Sequence, residues 1–182
     1  MTAQALYLQK RTTAADAVRH VHNGDTIIVS TGVGEPPTLL TELSTQRHSF
    51  QDVKVAQILA LRKYAYFDPE TVANVRHVAL FYGPASRAGG QAGWVDFTPN
   101  YFSEIPAQME RGQIPAEVVF SMASPMDAHG YFSLSLGADY TMAAVAKARA
   151  VLLEVNPNLP FAYGNSLVHV SQATAPVGSS DP

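Results

Sequence analysis

Residues 26–37 read Thr-Ile-Ile-Val-Ser-Thr-Gly-Val-Gly-Glu-Pro-Pro. The first five form a short β-branched run, the composition of a buried strand. Gly32 and Gly34 then allow unusual dihedrals and close backbone approach, and a proline suits the first turn of a helix. Leu39, Leu40 and Leu43 supply that helix with an apolar face. The order is strand, glycine loop, helix: the start of a βα unit whose loop amides could face an anion.

The same alternation extends in both directions. Upstream, Thr13 is a predicted helix cap with Asp16 three residues on; Ala14, Ala17, Val18 and Val21 recur at helical spacing, and Asn23-Gly24 stops the helix. Downstream, strands are predicted over 52–61, 77–82, 118–122, 150–155 and 166–171, with a short helix or turn over 70–76. Residues 83–93 are glycine-rich and expected to be a mobile loop; 94–97 are short and extended. Ser103 is placed to cap a helix with Pro106 in its first turn and Gly112 at its end, and 141–148 form an alanine-rich helix. Several strands are apolar throughout, not alternating. The predicted fold class is therefore α/β, a mostly parallel sheet with helices on both faces. The domain is expected to span 1–171, and 172–182, nearly free of core-forming residues, to be a disordered tail or a truncated linker.

Composition narrows the function. The chain has 182 residues, enough for one domain with a proper core. Charged residues are 15% and hydrophobic ones 47%, so much surface is buried or meets another domain. Net charge is −3 without a basic run, which gives nucleic acid no electrostatic footprint. The lack of cysteine excludes disulfides and thiolate chemistry. No run approaches the roughly 18 apolar residues of a spanning helix and the N-terminus has no apolar signal core, so a cytoplasmic protein without membrane contact is expected.

The richest polar stretch, residues 124–140, reads Ser-Pro-Met-Asp-Ala-His-Gly-Tyr-Phe-Ser-Leu-Ser-Leu-Gly-Ala-Asp-Tyr and follows an apolar strand, where sites are usually found. Ser124, Asp127 and His129 fall within six residues of one loop, whereas a hydrolase triad draws on separate elements; Asp127 suits an Asx-turn instead. Gly32-Val33-Gly34 has Pro37 where a dinucleotide fingerprint needs its third glycine. The six histidines are scattered, and no metal site is expected. Three glutamates stand out. Glu35 follows the glycine loop, Glu104 opens a helix and suits its dipole, and Glu154 sits in an apolar strand, where it must be either paired or tuned for chemistry.

Three blocks carry a resemblance: Val-Asp-Phe-Thr-Pro-Asn-Tyr-Phe-Ser-Glu-Ile-Pro from Val95, Ser-Pro-Met-Asp-Ala-His-Gly-Tyr-Phe-Ser-Leu from Ser124, and Glu-Val-Asn-Pro-Asn-Leu-Pro with Tyr-Gly-Asn-Ser-Leu-Val-His-Val-Ser from Glu154. Together with the Gly-Val-Gly-Glu-Pro loop they resemble the acetyl-CoA hydrolase/transferase family, which includes 4-hydroxybutyrate, acetate and butyrate CoA-transferases. The resemblance implies a CoA-transferase, Rossmann-like N-terminal domain, one of two similar α/β domains that bind acyl-CoA between them, in an oligomer. It implies a glutamate that attacks the thioester to give an acyl-glutamyl anhydride and then a glutamyl-CoA thioester, with a small carboxylate or water as acceptor. That glutamate belongs to the family's C-terminal domain, so no catalytic residue is carried over; the partner expected is such a domain or subunit. Coenzyme A is a substrate and no cofactor is implied. Gly32, Val33, Gly34, Glu35 and Pro36, with Ser124, Pro125, Met126, Asp127 and Gly130, are expected to line the cleft and bind the acyl or pantetheine group through backbone N–H groups. On that reading Gly34→Val weakens binding and leaves the domain folded. Two alternatives stay open: a non-catalytic remnant or binding module, and a small independent enzyme using Glu35 or Glu154.

Overall fold

The computed structural model describes residues 2–179. Seven strands form one sheet: β1 (Thr26–Val29), β2 (Val53–Gln57), β3 (Val75–Ala79), β4 (Asp96–Phe97), β5 (Val118–Ala123), β7 (Ala150–Val155) and β9 (Ala175–Gly178). β6 (Tyr131–Ser133) and β8 (Leu167–His169) pair antiparallel as a separate ribbon. The order in the large sheet is β4-β3-β2-β1-β5-β7-β9, and every pairing in it is parallel.

The apolar runs are explained by burial on both faces. Ile27 and Val29 of β1, Val118 and Phe120 of β5, and Ala150 and Leu152 of β7 point into one core. That core is closed by α2 (Ala14–Val18), α3 (Pro37–Thr45) and the aromatic turn Tyr64, Tyr66 and Phe67. Ile28, Val119 and Leu153 point the other way. They meet α5 (Ile105–Glu110), α6 (Thr141–Lys147) and the β6–β8 ribbon. Burying a Val, Leu or Ile side chain contributes about 1.5–3 kcal/mol over leaving it exposed, so these two layers set the stability of the domain.

Local signals hold where they rest on capping. Thr13 Oγ1 accepts from the Asp16 amide at 3.2 Å, and Gly24 takes φ +82° at the turn into β1. The 83–93 segment differs from expectation: Arg87–Ala92 form α4. Its glycines serve close packing. A Cβ on Gly90 would lie 2.4 Å from the Tyr82 ring, and one on Gly89 2.5 Å from Val95. Ser103 does not cap; it lies in a 3-10 turn, Phe102–Glu104, that leads into α5.

The expected tail is also corrected. Ala175–Gly178 form β9, parallel to β7, with Ala175 and Val177 buried. Only an edge strand tolerates Pro176, which has no N–H to give; its carbonyl accepts from Thr12 N at 3.1 Å. The connection into β9 is held from α1 (Ala3–Lys10): Lys10 Nζ donates to the carbonyls of Val170, Ser171 and Ala173 at 3.0, 2.9 and 2.6 Å. The last part of the expected tail, 180–182, lies outside the described residues.

Candidate functional site

The strand order reverses between the parallel neighbours β1 and β5: β2 to β4 are added on one side of β1, and β5, β7 and β9 on the other. In an open parallel sheet, ligands bind at the carboxyl ends of the strands beside such a switch point. A cleft of about 260 Å³ opens there. Gly32, Val33 and Glu35 line it from the loop after β1, Leu61 and Arg62 from the loop after β2, Met122 from β5, and Asn156, Asn158 and Leu159 from the loop after β7.

The loop after β1 is a 3-10 turn, Gly32–Gly34, with Gly32 at φ +52°. The Gly32 amide donates to the Leu59 carbonyl at 3.0 Å, which ties this loop to the one after β2. Glu35 strengthens the tie. Its side chain is buried and accepts from Tyr64 Oη at 2.8 Å, Gln57 Nε2 at 2.9 Å and the Leu61 amide at 3.0 Å. Burial first, and the Glu35 charge second, push the Tyr64 phenol well above its ordinary pKa, so it stays a neutral donor. Gln57 Nε2 also reaches the Ser30 carbonyl at 3.2 Å. A buried hydroxyl cluster lies below: Ser30 Oγ donates to Ser121 Oγ at 2.6 Å and lies 3.0 Å from Thr141 Oγ1.

Gly34 and Pro36 are buried under the loop. A Cβ on Gly34 would come within 2.8 Å of the Gly137 Cα and 2.9 Å of the Ser30 Cβ. Gly34→Val therefore displaces the Ser135–Gly137 turn and perturbs the fold, contrary to the expectation that the domain is left unchanged.

The Ser124–Gly130 region stands apart from this cleft. Ser124, Pro125, Met126, Asp127 and Gly130 do not line this cleft. Ser124 closes the turn between β5 and β6: its Oγ accepts from the Ser133 amide at 3.0 Å and its own amide donates to the Ser133 carbonyl at 2.8 Å. Asp127 Oδ1 accepts from the amides of His129 and Tyr131 at 2.9 and 2.8 Å, the Asx-turn read from the sequence. Met126 packs on the second core. Gly130, at φ +90°, leaves room for Ala3 and His169. Glu154 is paired: it accepts from Thr38 N, Thr38 Oγ1, Leu39 N and Ser179 Oγ at 2.8, 2.6, 3.2 and 2.8 Å. A fixed anion at the first turn of α3 satisfies N–H groups that helix geometry leaves open.

Leu61, Arg62 and Met122 were not singled out from the sequence, and Asn156, Asn158 and Leu159 belong to the block from Glu154 but were given no place in the site. Their common signal is position, just before or after the carboxyl end of a central strand. The same edge carries a rim of exposed apolar side chains: Val33 after β1, Leu61 after β2, Phe81 after β3, Phe97, Tyr101 and Phe102 at and after β4, and Tyr163 after β7. Leu136, in the turn packed on the Gly34 loop, is also exposed.

The pattern of the acetyl-CoA hydrolase/transferase N-terminal domain matches residues 1–177. The chain belongs to this family. Its curated relatives include the succinyl-CoA:cyclohexane-1-carboxylate CoA transferase of Geobacter metallireducens, 36% identical over 97% of this chain and 40% of the relative. The 4-hydroxybutyrate coenzyme A transferase of Clostridium kluyveri is 31% identical over 100% of this chain and 42% of its own length. Among solved structures, RipA from Yersinia pestis superposes with a TM-score of 0.91 at 29% identity, covering 100% of this chain and 45% of RipA. The acetyl-CoA hydrolase/transferase chain thus spans about 40% of the length of these curated relatives. Among its described residues no helix is long and apolar enough to cross a membrane.

Proposed function

We propose that this chain is the N-terminal half of a CoA-transferase that moves coenzyme A between an acyl-CoA and a small carboxylate. A glutamate on a C-terminal domain or subunit attacks the thioester, releasing CoA thiolate and leaving an acyl-glutamyl anhydride. The thiolate then displaces the carboxylate to give a glutamyl-CoA thioester. The carbon under attack gains negative charge on its oxygen, which preorganised N–H groups can stabilise. The role of this half is to hold the acyl group against the cleft at the β1/β5 switch point.

The observation that carries this reading is the state of the carboxylates around the cleft. Glu35 is buried and accepts three hydrogen bonds and Glu154 is buried and accepts four, so both carboxylates are committed to holding segments of the fold together. The Gly32, Glu35 and Leu61 amides are already donated within the fold, so the cleft offers walls, and on this reading the nucleophile comes from the second domain. Its position on an edge rimmed by exposed apolar side chains supports closure by a second domain.

The test is exchange of labelled acetate into acetyl-CoA. The purified chain alone is expected to show none. A chimera is expected to show it, in which residues 1–177 replace the matching segment of the Clostridium kluyveri transferase. Exchange by the chain alone, or a folded chimera without exchange, overturns the reading.

A further inference from the structure

We propose that Asn158 holds the pantetheine arm of the thioester substrate by the amide next to its sulfur, and so sets how far the acyl group enters the cleft. This rests on the acyl-CoA reading above and names a contact to the carrier arm. At about 260 Å³ the cleft has room for the end of that arm and not for a nucleotide. Val33, Leu61, Met122 and Leu159 give it apolar walls. Most polar groups around them are used up. The amides of Gly32, Glu35 and Leu61 donate within the fold, and the Glu35 carboxylate accepts three donors. Arg62 and Asn156 have partners of their own. Asn158 differs: it is exposed on the cleft wall and, among the described residues, its carboxamide has no hydrogen-bond partner.

The turn that carries this carboxamide is fixed. Leu159 N donates to the Asn156 carbonyl at 3.2 Å and closes it, and Asn156 N donates to the Ala123 carbonyl at 2.9 Å, which fastens it to the end of β5. Asn156 is buried, and its Oδ1 accepts from Asn158 N at 2.9 Å, an Asx-turn inside the first turn. Pro157 sets φ at the second position, and Pro160 follows the turn. What the turn leaves to a ligand is one carboxamide on a rigid mount. A carboxamide donates and accepts at once, which matches the N–H and C=O of a secondary amide. It carries no charge, so a phosphate or a carboxylate, held best by ionic donors, is not its match. In an acyl-CoA the amide nearest the sulfur is joined to it by an ethylene group, and the apolar walls suit that group. Held in this way, the thioester stands at the cleft, open to a nucleophile from the second domain.

Two small thioesters separate this contact from the rest of the ligand. S-acetyl-N-acetylcysteamine has the amide, the ethylene group and the thioester; S,O-diacetyl-2-mercaptoethanol has an ester oxygen in place of the amide N–H and is otherwise the same. Each is titrated into the purified chain, as is acetyl-CoA, with the Val33 and Leu61 methyl signals followed by NMR. The amide is expected to bind about fivefold more tightly than the ester. Asn158→Ala is expected to bring the two within about twofold, and Asn158→Asp, which keeps an acceptor for the N–H, to retain the preference. The Asn158 side chain is exposed, so both variants are expected to keep the dispersed spectrum of the parent, and the amide–ester comparison in the parent stands without them. If acetyl-CoA shifts the methyl signals and the amide binds no better than the ester, or neither small thioester shifts them, the Asn158 assignment is overturned and the acyl-CoA reading stands. A preference for the amide that survives Asn158→Ala also overturns the assignment. If acetyl-CoA leaves the signals unmoved, both fall.

Discussion

At the scale of single residues, the buried polar groups divide into those with partners and those without. Glu35 and Glu154 are held by three and four donors, which makes them struts between segments far apart in sequence. His77 is the opposite case. It lies in β3, fully buried, with its ring 4.3 Å from that of Phe67 and its Nδ1 without a partner. Burial lowers its pKa from 6.5 to about 3, so the imidazole is neutral in the folded state. The sign follows directly. Below pH 6.5 the unfolded chain takes up a proton that the folded chain refuses, so stability falls as pH drops from about 6.5 toward 3. Between pH 6.5 and pH 5 the loss is of the order of 2 kcal/mol. Urea titrations across that range are expected to show it, and His77→Phe, similar in shape and without a proton site, is expected to flatten the curve. An unchanged slope in the variant would assign the acid sensitivity to other groups. Nothing in the strand sequence Val-Arg-His-Val-Ala announces this role, because burial of position 77 depends on the Tyr64–Phe67 turn that folds over it.

At the scale of elements, legibility follows the range of the interaction that decides each one. The β1 unit was readable because its signals are local: β-branched residues make the strand, glycines the turn, prolines and leucines the helix. α4 was unreadable because its glycines answer to Tyr82, Trp94 and Val95, which reach them only in three dimensions. β9 is the clearest case. Ala-Pro-Val-Gly has no strand signature, yet the exposed edge of β7 offers it four paired positions, from Leu152↔Ala175 to Val155↔Gly178. In the site, Glu35 was legible as the polar residue ending a glycine loop, whereas Arg62 and the two asparagines matter only through the sheet that gathers them. If β9 is an integral strand, deleting 172–182 uncovers the edge of β7, Ala150 and Leu152 included, and removes the Ala173 carbonyl from Lys10. Thermal unfolding is expected to drop by more than about 5 °C, with aggregation through the bared edge. Unfolding at the parent temperature would mean that the strand is an appendage.

At the scale of the molecule, the two long edges of the sheet differ in kind. The flanks are closed by helices and by the β6–β8 ribbon, and most of their large apolar side chains are buried, Leu8 and Tyr131 apart. The carboxyl edge, which carries the cleft, leaves Val33, Leu61, Phe81, Phe97, Tyr101, Phe102, Leu136 and Tyr163 exposed. Scattered apolar residues are ordinary on a surface, but so many along one edge of the sheet mark a surface that meets something. If that something is a second domain, these side chains contribute little to the fold of this one and make the isolated chain adhesive. Phe81→Ser with Tyr101→Ser removes two aromatic members, 55% and 75% exposed. The double variant is expected to unfold within about 2 °C of the parent, and to abolish concentration-dependent association in analytical ultracentrifugation. A large fall in unfolding temperature would show that the two rings are needed for this domain's own packing. The rim would then be part of the fold, and closure of the cleft would have to be sought on another surface.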